Sequence, residues 1–463
     1  MNAAALWIYF PLFFGAFLLL FSEHRKLTGI AGISLCFLLM VIALNVPVNS
    51  LIVIGKTSIV FTSSSTLLGR TLELTRSEQT LAAFFYFSAC LWCAGSFFVP
   101  VHNSFVPIAI MDTALIVAVM AVDPFIYGAF CVILAVLISL PLIWESRRGS
   151  GEILFRFLIY QILGMILLAL GGWLATSVDI NPQDDYLLKR TVVLLFCGSA
   201  FWLAAFPFFN WIALMMDAFC PFVIGFIISL LQFSAMFILL RFLNDHIWMR
   251  TYEPLFYLLR LSGVLMLLMG AVWASFQHNL QRLLAYMIIA ENGVSLLLLG
   301  AQNNSSVRVF LIYLFIHLLS ILIWSMAVKI LSADSGLDFD SLHGILYRKP
   351  TLSAAIILSH FMMTGMPLMA GFPLRMSLIT NCFEKETNLG WACAIGCGVL
   401  LFTGFRLLYS FTEKTDRKPD EPLRIRIVMI VGSVILLLLG LFPNVFGVFM
   451  NGIQAQYAVI FGG

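Results

Sequence analysis

Apolar residues in this chain come in runs of about 20, and about fourteen such runs fill it nearly from end to end. A bilayer core is about 30 Å thick, so a spanning helix needs roughly 20 apolar residues. Little chain is left for a soluble domain. Hydrophobic residues make up 61% of the 463 and charged residues 11%, with a mean hydropathy of +1.01; a soluble domain is about half apolar. Only helices and closed barrels can span lipid, because every backbone polar group needs an internal partner there. Barrel strands alternate apolar and polar, and stretches such as 428–442 do not. The chain therefore reads as an all-α polytopic membrane protein.

The runs fall at about 4–22, 28–47, 79–100, 104–122, 125–144, 154–176, 191–209, 219–243, 255–276, 280–301, 306–331, 351–380, 388–412 and 425–449. The first lacks a basic start and a small-residue cleavage site, so it reads as a span and not as a removed signal. The longest connection, 49–78, holds two β-rich stretches around Gly55-Lys56. These predict a hairpin over 51–61 on the membrane face.

Charge sets the expected orientation. Alternate loops carry Arg25 and Lys26, then Arg147 and Arg148, then Arg348 and Lys349, then Lys414, Arg417 and Lys418. The other set includes the acidic 179–185 stretch and the uncharged 301–305. The positive-inside rule assigns the first set to the cytoplasm and both termini to the opposite side. Lys56, Arg70, Arg76 and Lys189 run against the rule.

The net charge of +3 is spread over short loops and forms no basic patch for nucleic acid. Cys90 and Cys93 form a C-x-x-C on an apolar run with no His or carboxylate nearby, which reads as two small packed residues. No metal site, Gly-rich phosphate loop or haem motif is found. No cofactor is expected, and any redox chemistry would belong to partners.

Two runs are interrupted. Pro207 closes one run ahead of a polar-tipped stretch that reaches Pro221. Pro367 and Pro373, with Gly365 and Gly371, crowd into another. Proline removes a backbone donor and clashes with the preceding turn. Broken helices at membrane depth point to an ion or substrate path, although a single Pro is equally a plain kink.

Three stretches carry a resemblance. Phe206-Pro-Phe-Phe-Asn-Trp211 with Pro221 and Phe226, Asn279-Leu-Gln-Arg-Leu-Leu-Ala-Tyr286 with Gly293, and Met363-Thr-Gly-Met-Pro-Leu-Met-Ala-Gly-Phe372 stand in order along the chain. They resemble signatures of the antiporter-like membrane subunits of proton-pumping NADH:quinone oxidoreductase (respiratory complex I), membrane-bound hydrogenases and multisubunit Na⁺/H⁺ antiporters. Ile138-Ser-Leu-Pro-Leu142 is similar to the L-S-L-P-L of subunit N of that oxidoreductase.

The resemblance implies about fourteen transmembrane helices and two inverted five-helix repeats, with the seventh and twelfth helices broken. It divides the chain into 1–100 (three helices and the hairpin), 101–245 (first repeat), 246–412 (second repeat) and 413–463 (last helix). It also implies other membrane subunits as partners beside lipid, and the cytoplasmic membrane of a bacterium with both termini periplasmic.

In this family a buried Glu on helix five pairs with a buried Lys on helix seven, and charged residues on helices eight and twelve extend the axis. A Lys in low dielectric loses its proton readily, and a nearby carboxylate restores it, so such a pair can switch. At the corresponding positions this chain has Val136, Trp202 and Gln232, and only the helix-twelve position keeps a charge, as Arg375. Arginine does not deprotonate in proteins. Phe209 and Gln281 also replace a usual His and Lys. The scaffold signature survives and the titrating set is gone.

Charge within the runs remains at Glu291, mid-run, and at Asp112, nearer one end, with His317 and His360 also inside. Charge at bilayer depth costs about 2.5–3.5 kcal/mol on insertion scales. Glu291 reads equally as an ion-path residue or as a structural hydrogen-bond donor. The histidines read first as satisfied buried groups and Asp112 as reaching the interface, with an ion path as the alternative for each. The leading expectation is a degenerate antiporter-like subunit acting as scaffold or ion-path module. The rivals are an active H⁺ or Na⁺ translocase routed through Glu291, His317 and Arg375, and a stand-alone secondary transporter.

Overall fold

The computed structural model describes residues 2–49, 51–54, 57–67, 69–143, 150–413 and 421–442. The Gly55-Lys56 tip, Arg147, Arg148, Lys414, Arg417, Lys418 and the chain from 443 onward lie outside them.

After a π-helical turn (Ala5–Tyr9) come α1 (Phe10–Leu19), α2 (Arg25–Asn45), four short strands and α3 (Arg76–Gly95). A first group of helices follows: α4 (Phe105–Ala121), α5 (Gly128–Ile143), α6 (Ser150–Ile180), α7 (Asp185–Trp202), α8 (Asn210–Ala218) and α9 (Pro221–Asp245). The short α10 (Ile247–Thr251) leads to a second group: α11 (Glu253–Phe276), α12 (Leu280–Gly300), α13 (Asn304–Leu331), the short α14 (Ile345–Arg348), α15 (Pro350–Thr364), α16 (Gly371–Lys385) and α17 (Thr387–Thr412). The last helix is α18 (Leu423–Leu441). Both groups run in the same order, three long helices, a broken pair, then a long helix.

Among the described residues, nine helices are long and apolar enough to cross a bilayer by length and composition. That is fewer than the fourteen runs, because three runs fold as shorter helices and because α3 and α7 begin with charged and polar residues. Burial sorts these helices. The apolar window is 100% buried in α9, 94% in α12 and 89% in α13, but 28% in α6 and 22% in α18. A helix that is apolar all round is buried all round, so α9, α12 and α13 form the centre. The outer helices turn exposed Leu, Ile and Phe toward lipid.

The predicted hairpin is present as β1 (Leu51–Ile54) and β2 (Thr57–Val60), paired antiparallel with Leu51 opposite Val60. A second hairpin went unread in the sequence. Its strands are β3 (Ser64–Leu67) and β4 (Arg70–Glu73), and β4 also pairs with β5 (Val122–Asp123) at the end of α4. This sheet ties the N-terminal helices to the first group.

The first break follows α7. Leu203 and Ala205 donate back to the carbonyls of Ser199 and Ala200 at 2.9 and 2.8 Å, and Ala204 takes a left-handed φ of 53°. Pro207, after a cis peptide bond, sits in the gap before α8.

The second break follows α15. Gly365 (φ 78°) and Met366 both donate to the Phe361 carbonyl at 3.1 and 3.0 Å, a glycine C-cap. A Cβ on Gly365 would also lie 2.5 Å from Arg375 Cγ, and one on Gly371 would lie 1.9 Å from the Met362 carbonyl. Only glycine allows the two half-helices to approach this closely. Pro367 lies in the gap. Pro373 sits inside the first turn of α16, where its missing N–H is an unsatisfied position anyway. It starts the second half and does not break the first.

Candidate functional site: two broken helices joined by α12

Helix ends leave backbone carbonyls without intrahelical partners. At mid-membrane such groups have no bulk water, and two neighbouring residues of α12 reach both breaks. Asn292 Nδ2 donates to the Leu203 carbonyl at the end of α7 at 2.9 Å. Glu291 accepts from Arg375, with its side chain fully buried and that of Arg375 3% exposed. Arg375 in turn donates from Nε and Nη2 to the Met363 carbonyl at the end of α15, at 3.2 and 2.8 Å. The guanidinium thus caps one half-helix while standing on the other.

The second oxygen of Glu291 accepts from the Tyr313 hydroxyl, which also bonds the Glu291 carbonyl at 3.0 Å. Both carboxyl oxygens of Glu291 are thus engaged, one of them by a guanidinium, the partner geometry of a charge-assisted hydrogen bond. Glu291 meets its neighbouring helices as the acceptor of these bonds and not as the donor.

Tyr313 opens a polar stripe on α13. His317 stacks on it, ring centroids 5.6 Å apart and planes at 16°, and lies 6.2 Å from Phe233 of α9. Residues 313, 317, 320 and 324 share one helix face. Neither nitrogen of His317, nor Ser320 Oγ, nor Trp324 Nε1 has a hydrogen-bond partner among the described residues. His317 is thus buried but not satisfied, contrary to the first expectation. The stripe continues to α15 through Trp324, whose ring lies 5.4 Å from His360. His360 Nε2 is 3.1 Å from both the Leu400 carbonyl and Thr403 Oγ1, while Nδ1 has no partner there. The amide of Gln232 on α9 likewise has none.

The first group is different. Trp202 is the residue that the resemblance puts at the family's Lys position. It is fully buried, donates from Nε1 to the Gln161 carbonyl at 3.0 Å, and packs so closely that a Cβ on Gly164 would lie 2.5 Å from its ring. Val136 is buried on α5. Asp112 does not reach the interface as expected. It is fully buried on α4 and accepts from Ser139 of α5 at 2.7 Å on one oxygen, with no partner on the other among the described residues. No ion pair joins it to an Arg or Lys among the described residues.

Tyr313 and Asn292 are the members the sequence reading missed. Asn292 was visible as a polar neighbour of Glu291 in an apolar run, and Tyr313 as the residue one turn before His317. Among the described residues, no group of three or more His, Cys, Asp or Glu could hold a metal ion.

Two broken helices at corresponding places in a repeated helix order, both held by α12 and one of them through a buried ion pair, define a polytopic membrane protein of the broken-helix transporter architecture. The family described as NADH:quinone oxidoreductase/Mrp antiporter, transmembrane, matches residues 125–403, and the chain belongs to it. It is 27% identical over 328 residues to NADH-quinone oxidoreductase subunit N 2 of Acidobacterium capsulatum, covering 65% of this chain and 66% of that protein. It is 26% identical over 319 residues to subunit N of Ectopseudomonas mendocina, covering 65% of this chain and 62% of that one. The match thus spans just under two thirds of these relatives.

The fold is similar to a chain of respiratory complex I from Thermus thermophilus (TM-score 0.82, 16% identity, 99% of this chain and 100% of that one). It is also similar to a chain of the Mrp complex from a Dietzia species (TM-score 0.79, 13% identity, 99% of both).

Proposed function

We propose that this chain is an antiporter-like subunit of a complex I-like or Mrp-like membrane assembly, acting as a scaffold or ion-path module and not as a titrating pump. It would sit in a bacterial cytoplasmic membrane with its termini periplasmic. The family membership and the full-length fold likeness support the assembly. The observation that carries the scaffold role is the Glu291–Arg375 pair. A Lys–Glu pair works as a switch because the Lys can lose its proton; Arg375 cannot. Its guanidinium also caps α15, so it is anchored in place. In the first group, Trp202 and Val136 offer no titrating group at all.

A second reading, an active translocase routed through Glu291, His317 and Arg375, is favoured by the α13 stripe. Buried polar atoms without protein partners are commonly met by water, and water beside His317 and Ser320 would supply a proton path past the ion pair.

The test uses the tagged full-length chain. Co-elution with other membrane subunits, and unchanged proton movement in that assembly after Glu291→Gln, support the scaffold reading. Loss of proton movement with assembly intact overturns it in favour of the translocase. Elution of the chain alone, with solute transport in vesicles, overturns both and leaves a stand-alone transporter.

A further inference from the structure

α6 and α7 pack antiparallel through glycines. A Cβ on Gly171 would lie 2.8 Å from Leu195, and one on Gly198 would lie 2.7 Å from Leu168. Beside this contact a groove of about 620 Å³ opens to the outside of the bundle. Leu170, Trp173 and Val193 line its apolar part, and Tyr186, Lys189 and Arg190 line the end nearest the start of α7. Trp173, Tyr186 and Val193 are all more than half exposed.

The cations at this end are poorly matched by the protein itself. Lys189 makes only a 3.5 Å contact with Asp185, with side chains 65% and 83% exposed, a pair of little worth. Asp184 is engaged by the backbone N–H groups of Tyr186 and Leu187, as the cap of α7. Arg190 lies over the Tyr186 ring at 4.6 Å and has no carboxylate partner among the described residues. Lys189 is also one of the cations that run against the loop-charge pattern, so its position needs a local reason.

We propose that this groove binds one anionic diacyl phospholipid. The phosphate would lie between Lys189 and Arg190, and one acyl chain would lie along Leu170, Trp173 and Val193. Each part fits. Lys189 and Arg190 are the fifth and sixth residues of α7, about 7 Å from its start at 1.5 Å per residue. Long basic side chains at that depth snorkel to headgroup level. A guanidinium matches phosphate geometry, and Trp and Tyr favour the interface. The apolar wall faces a solvent that already consists of acyl chains, so charge, and not burial, supplies the selectivity.

The experiment takes the full-length protein in detergent, stripped of lipid. Native mass spectrometry and thermal melting follow addition of palmitoyl-oleoyl-phosphatidylglycerol, the phosphatidylcholine with the same chains, or glycerol phosphate as headgroup alone. The expected result is retention of phosphatidylglycerol and a rise in melting temperature that the other two do not produce. Lys189→Ala and Arg190→Ala should each weaken retention about fivefold and together about 25-fold. Arg190→Lys should keep most of it. The proposal is overturned if phosphatidylcholine is held as well as phosphatidylglycerol, if the double variant keeps the lipid, or if cross-linking from position 173 in the assembled complex captures a polypeptide. Should the double variant fail to fold, Arg190→Gln gives the same decision: a fivefold loss supports the site and unchanged retention sinks it.

Discussion

Glu291 and Arg375 stand 84 positions apart and meet as an ion pair inside the helix bundle, with Asn292 beside them reaching the opposite break. One turn of α12 therefore holds the loose ends of two half-helices, α7 through Leu203 and α15 through Arg375 and Met363. Taking two charges out of water costs several kcal/mol per ion unless geometry and added hydrogen bonds compensate. Here the compensation is visible, with Tyr313 on the carboxylate and the Met363 carbonyl on the guanidinium.

Removing either partner alone should therefore be costly. Arg375→Met should lower stability by about 3–5 kcal/mol, because Glu291 is left buried without its cation and Met363 loses its cap. Adding Glu291→Gln should recover part of that loss. Melting of the four members of the double-mutant cycle in detergent checks this. Independent, additive losses would mean the pair is not coupled.

Trp202→Lys should lower stability or assembly by a similar amount, since it trades a packed indole for a buried cation with no carboxylate at Val136. Val136→Glu added to it should restore part of the loss. Yield and melting temperature of the single and double variants decide. A Trp202→Lys protein as stable as the parent would mean that the position is already wet or that Asp112 reaches it.

Glu421, just ahead of α18, caps the start of α15 by accepting from the Thr351 and Leu352 N–H groups at 3.0 and 3.1 Å and from Thr351 Oγ1 at 2.7 Å. Glu421→Ala should cost about 1 kcal/mol. It should also speed amide hydrogen exchange at 351–353 more than at α12. Equal exchange at 351–353 in the parent and in Glu421→Ala would remove the cap from the account.

Reporter fusions after Gly151 and after Gly463 should give opposite results, with Gly151 cytoplasmic. The same result at both would break the orientation drawn from the loop charges.

Much of the architecture was legible because its cause is local. The length of an apolar run matches the thickness of the bilayer core, whatever the run packs against. The breaks were legible for the same reason: Pro367 with Gly365 and Gly371 disrupts a helix by its own backbone chemistry. Glu291 and Arg375 were each conspicuous as charges in apolar surroundings. What could not be read was that they pair, since spacing along the chain says nothing of contacts between helices. His317 looked like any buried histidine, and Asp112 looked close enough to a helix end to reach the surface. The second hairpin was missed because Ser64–Leu67 and Arg70–Glu73 carry polar residues on short strands.

By itself, the sequence determined that this chain is helical and membrane-embedded, where its spans break, and that Val136, Trp202 and Gln232 carry no ionisable side chain. Each of these follows from residue chemistry over at most a few turns. Only the tertiary structure decided that α12 joins the two breaks, that Tyr313 and Asn292 belong to the site, and that Arg375 works as a cap as well as a charge. In a medium without water, a buried charge or a free carbonyl must find its partner on another helix, and which helix that is depends on the packing of the whole bundle.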